Sequence, residues 1–126
     1  MAAYEASVSV RVSARHAVRA PDGTMEAPHA HAWRVTAVFG AGQLDDHGFV
    51  IDFVLARKAL ADIGEALAGS NLNDLPSMPP GGATAERLAE YLAGQMQRRL
   101  GRPATCVRVA EAPGCQAAFY PAGLSP

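Results

Sequence analysis

Pro28-His29-Ala30-His31-Ala32-Trp33-Arg34-Val35-Thr36-Ala37-Val38-Phe39 alternates with period two, the spacing of an extended strand whose side chains point to opposite faces. His29, His31, Trp33, Val35, Ala37 and Phe39 then share one face. The earlier stretch Tyr4 to His16 behaves the same way, with Tyr4, Ala6, Val8, Val10, Val12, Ala14 and His16 on one side and Glu5, Ser7, Ser9, Arg11, Ser13 and Arg15 on the other. The two stretches are expected to form a hairpin in which His16, His29 and His31 converge on one metal ion.

The segment joining them contains Pro21-Asp22-Gly23, a turn signal with a fixed φ, a side-chain acceptor and a permissive glycine in succession. It is long for a tight hairpin, and long loops at a binding mouth carry function, which singles out Met25 and Glu26 just before the paired histidines. After a glycine-containing loop over 40–48, Phe49-Val50-Ile51-Asp52 leads into a helix with Asp52 as N-cap. Phe53, Ala56, Leu60, Ile63 and Leu67 recur there at helical spacing and are expected to be buried. Gly69-Ser70 ends it, and 71–82, rich in Pro, Gly and Asn, is expected to be a connecting loop. A second helix opens at Thr84, runs to Leu100 and buries Leu88, Leu92, Met96 and Leu100. Thr105–Glu111 and Gln116–Tyr120 are expected strands around an Ala112–Cys115 turn. The order β-β-α-α-β-β predicts an α+β domain, a four-stranded antiparallel sheet with both helices on one face. Its two free edges predict a homo-oligomer.

The 126 residues suit a single domain over 1–126. A formal net charge of -1 and the lack of any basic run argue against nucleic acid and acidic membrane surfaces as partners. No stretch has the length of a membrane span or the pattern of a signal peptide, so a cytoplasmic location is expected. Cys106 and Cys115 are expected to be reduced, because a turn at Pro113-Gly114 leaves them too far apart along paired strands for a disulfide.

Three imidazoles and an open fourth position is the donor set of a catalytic zinc site, and the chain has too few thiols for a structural one. His47, beside Asp45 and Asp46, competes with His16 for the third place.

Val12-Ser13-Ala14-Arg15-His16, His29-Ala30-His31, Gly48-Phe49-Val50-Ile51-Asp52-Phe53, Leu72-Asn73-Asp74, Thr84-Ala85-Glu86-Arg87-Leu88-Ala89 and Val107-Arg108-Val109-Ala110-Glu111, in this order, resemble the 6-pyruvoyl- and 6-carboxy-tetrahydropterin synthase family. The resemblance implies a tunnelling fold (T-fold), in which β-β-α-α-β-β subunits assemble into a barrel, commonly a hexamer of two trimers with active sites at subunit interfaces. It implies Zn2+ on His16, His29 and His31, where the metal holds and acidifies the hydroxylated side chain of 7,8-dihydroneopterin triphosphate. It further implies that Glu111 anchors the pterin ring, a carboxylate being able to accept two parallel N–H donors. Thr84 would add a ring contact, and Glu86 carries over more weakly, since a first-turn acid already suits the helix dipole.

The chain departs from the family pattern in its acid/base residues. No Cys precedes the paired histidines, where Gly23-Thr24-Met25-Glu26-Ala27-Pro28 stands, and Ala68-Gly69 occupy the places of an Asp-His pair. Ala30 replaces the usual Gly between the ligands. Two functions follow: a lyase in which Glu26 is the general base, or a zinc- and pterin-binding oligomeric module that has lost the family reaction. Asp46-His47 is a weaker candidate for a displaced acid/base pair, because it stands before the Gly48–Phe53 stretch and not after the first helix.

Overall fold

In the computed structural model, which describes residues 2–121, residues 4–41 form one long hairpin. Strand β1 (Tyr4–His16) runs antiparallel to β2 (His29–Ala41) in unbroken register from Tyr4↔Ala41 to His16↔His29. Strand β3 (Cys106–Ala112) adds to β2 and β4 (Cys115–Phe119) adds to β3, both antiparallel, so the spatial order is β1-β2-β3-β4. The last strand lies one residue earlier at each end than its sequence pattern indicates.

Helices α1 (Phe53–Leu67) and α2 (Ala85–Leu100) cover one face. Val8, Val12, Trp33, Val35, Val107 and Val109 of the sheet meet Leu60, Ile63, Leu88, Leu92 and Met96 of the helices in a single core. Each such side chain contributes roughly 1.5–3 kcal/mol when fully buried, which is why the period-two and period-3.6 patterns face each other. Gly64 costs α1 helix propensity, but a Cβ there would stand 2.9 Å from Val12 Cγ2, so the glycine lets α1 approach β1.

Both helices start on their expected caps. Asp52 accepts from Val54 N at 2.8 Å and Thr84 from Arg87 N at 3.2 Å. Phe53 corrects the sequence reading: it is 58% exposed. As the first helical residue it lies beside Ser7, Val8 and Ser9 of the outermost strand, outside the layered core, and helical spacing carries no information on where the facing layer ends. The 71–82 segment also holds one turn of 3-10 helix, Leu72–Asp74, capped by the Asn71 side chain. Cys106 is buried opposite Val38 and Cys115 is exposed opposite Ala112, both as free thiols. Burial pushes the Cys106 thiol up. No helix among the described residues is long and apolar enough to cross a membrane.

Candidate metal centre

The hairpin register builds the site. His16 and His29 are the last Cα partners of β1 and β2, and His31 is opposite Ala14, whose small side chain leaves its ring room. All three project from the helix-facing side. The His16 and His29 ring centroids are 4.6 Å apart, and the His16 and His31 centroids 5.1 Å. Trp33, next along the same face, closes the wall beneath them. It meets His16 and His31 edge-on at 4.8 and 5.3 Å, and its indole N–H donates to Ala14 O at 3.1 Å.

Backbone carbonyls set the direction of two rings. His16 Nδ1 donates to Ala83 O at 2.8 Å and His29 Nδ1 to Ala27 O at 3.0 Å. A carbonyl can only accept, so each Nδ1 carries the proton and each neutral ring presents a bare Nε2. These two Nε2 atoms lie 3.1 Å apart. Glu111 Oε1 sits 2.9 Å from His16 Nε2 and 3.3 Å from His31 Nε2, and the four residues offer donor atoms all within 4.8 Å of one another. His31 Nε2 is buried without a hydrogen-bond partner.

Lone pairs facing lone pairs repel unless protons or a cation lie between them. At a Zn–N distance of about 2.0–2.1 Å, tetrahedral ligand atoms stand roughly 3.3 Å apart, close to the spacings found here. The carbonyl-anchored tautomers are those that ligation needs, so the residues fit a zinc ion.

The end of β1 is held from outside. Gly69 N donates to Ser13 O at 2.7 Å and Arg15 N to Ser70 O at 2.8 Å. The Asn73 side chain then clamps Ala17, accepting from its N–H at 2.8 Å and donating to its C=O at 2.9 Å. That two-sided clamp fixes the chain one residue past His16.

Glu26 lies beside the cluster, not in it. Its Oε1 accepts from Val18 N at 2.9 Å and stands 3.8 Å from His29 Nδ1, with the side chain 41% exposed. Thr84 Oγ1 is outside the donor set and caps α2, directly after the carbonyl that holds His16. His47 is not brought to the centre: its N–H donates to Asp45 Oδ1 in the exposed 45–49 loop. Glu111, expected as a ring anchor, is found among the imidazoles. The sequence signal for this is the alternation Val107, Val109, Glu111, which puts a carboxylate on an apolar strand face.

The family model of 6-pyruvoyl tetrahydropterin synthase matches residues 5–122. No curated protein matches significantly. Among solved structures, 6-pyruvoyl tetrahydropterin synthase of Caenorhabditis elegans superposes with a TM-score of 0.78 at 15% identity, over 93% of this chain and 94% of that one. The Plasmodium vivax enzyme gives 0.73 at 16% identity, over 92% and 97%. Two further Plasmodium vivax structures, each at 0.70 and 15% identity over the same shares, carry that enzyme with a catalytic glutamate replaced by alanine or by cysteine. At such identities the structural likeness establishes the fold.

Proposed function

Because this chain belongs to the 6-pyruvoyl tetrahydropterin synthase family, we propose that it is a zinc-dependent lyase or synthase acting on 7,8-dihydroneopterin triphosphate or a related pterin. The observation that carries this reading is the meeting of three imidazoles and one carboxylate, with ligand atoms within 4.8 Å of one another and the His31 Nε2 buried without a hydrogen-bond partner. A bound zinc would supply Lewis acidity, lowering the pKa of hydroxyls on the substrate side chain.

The remaining work falls to the chain. Ala83 O and Ala27 O keep the His16 and His29 rings turned inward, and Trp33 blocks water from below. Glu26 is the general base. The Val18 N–H holds its Oε1, 3.8 Å from His29 Nδ1, and the side chain is 41% exposed. The Plasmodium vivax enzyme likewise uses a glutamate as a catalytic residue. Glu111 serves the ring. The 2-amino-4-oxo edge and the reacting side chain lie at opposite ends of a pterin, so a carboxylate within 3.3 Å of the imidazoles cannot hold that edge from where it stands. Binding therefore requires Glu111 to turn away from His16 and His31. Thr84 Oγ1, which accepts from Arg87 N, still has its own proton to donate to the ring.

Exposed Phe49, Phe53, Val54 and Leu55, together with the β1 edge ahead of Ser13, support a homo-oligomer. A pterin-binding module without turnover is favoured by one observation, the replacement of the family's Asp-His pair by Ala68-Gly69.

Glu26→Gln is expected to lower kcat by at least about a hundredfold with zinc content unchanged. Glu111→Gln should raise KM with a smaller effect on kcat. Steady-state kinetics on metal-loaded protein checks both, and a wild-type rate for Glu26→Gln rules out the assignment of the base.

A further inference from the structure

The sheet face turned away from the helices carries a second feature. Arg11 and Arg34 are direct partners across β1 and β2, and Arg108 is the partner of Thr36, two residues along β2 from Arg34. Like charges placed directly opposite in a ladder destabilise it. Among the described residues, no ion pair involves Arg11, Arg34, Arg57 or Arg108. The one carboxylate on this face of the hairpin is Glu5, opposite Gly40 and six residues from Arg11, roughly 20 Å along the strand.

The neighbours of the two arginines are small. Ala32, Ala110 and Gly114 leave a hollow of about 370 Å³ whose polar lining is Arg11, Arg34 and Gln116. An adjoining hollow of about 350 Å³ adds Arg57 from α1 to the same pair. A guanidinium offers two parallel N–H donors matched to phosphoryl oxygens, and two such forks on neighbouring strands can grip one multiply charged anion from both sides.

We propose that this hollow is a binding site for a small polyphosphate anion, of the diphosphate or triphosphate class, on the opposite sheet face from the metal centre. Arg11 and Arg34 are its principal ligands, Gln116 adds an amide donor and Arg57 closes the outer side. The occupant is a free anion of two or more charges, because a single monoanion leaves the facing guanidiniums uncompensated.

Calorimetric titration with inorganic triphosphate at constant ionic strength tests this. Wild type is expected to bind saturably, and the double variant Arg11→Gln, Arg34→Gln at least tenfold more weakly. Without anion, that variant should melt at or above the wild-type temperature, because the opposed charges are gone; the same melt shows that it folds. His31→Ala, altered on the other face, should bind triphosphate as wild type does. Equal affinity in the double variant overturns the proposal. So does loss of binding in His31→Ala, which would place the anion at the metal centre. Failure of wild type to bind, with oligomers dissociating in the double variant, would instead make this face a contact between copies and also overturn it.

Discussion

Wild type is expected to carry about one zinc ion per chain, measured by mass spectrometry of metal content, and His16→Ala to bring that zinc to background and abolish turnover with it. The effect is large because His16 is the member of the donor set that the rest of the fold aims. It is 2% exposed, it sits opposite His29, and its Nε2 lies 3.1 Å from His29 Nε2 and 2.9 Å from Glu111 Oε1. Losing one of three imidazoles leaves His29 and His31 on one strand, a chelate open on the β1 side. The substitution also strands Ala83 O, which accepts from His16 Nδ1, at a cost of about 1–3 kcal/mol. His47→Ala, in a loop outside the cluster, should leave zinc content unchanged.

Trp33→Ala is expected to be the most destabilising single change at the site, lowering the free energy of unfolding by about 3–5 kcal/mol. That is a large share of the stability of an ordinary domain. The indole is fully buried, packs edge-on against His16 and His31, and donates to Ala14 O. Removing it opens a cavity under both rings and takes away the hydrogen bond to Ala14 O. Urea unfolding measures the loss. Trp33→Phe should recover most of the packing while keeping the cost of the missing N–H donor, and a wild-type midpoint for Trp33→Ala would contradict the description of this floor.

The hairpin and the three imidazoles were legible because strand alternation is local. Each histidine lies on an apolar face counted from its own strand, and β1 and β2 pair without a bulge that would shift the count. The caps Asp52 and Thr84 were legible for the same reason. What was not legible depends on contacts distant in sequence. Glu111 reaches the imidazoles only because β3 pairs with β2 in the Val35↔Val109 register, and the Asn73 clamp on Ala17 joins segments that no sequence period relates. The exposure of Phe53 depends on where a neighbouring layer stops.

The missing Asp-His pair takes on a structural meaning as well. Gly69 has φ 74°, in the left-handed region, and its N–H holds Ser13 O. A histidine there would be strained, so this loop is built for glycine and restoring the family residue would not simply restore its geometry.

Incubation of the zinc-loaded protein with 7,8-dihydroneopterin triphosphate, with products identified by mass spectrometry, tests the central claim most directly. The expected result is consumption of the substrate to a pterin with an altered C6 side chain, absent in Glu26→Gln. Recovery of unchanged substrate from protein that holds one zinc per chain and binds the pterin would contradict the enzymatic reading and establish the binding module in its place.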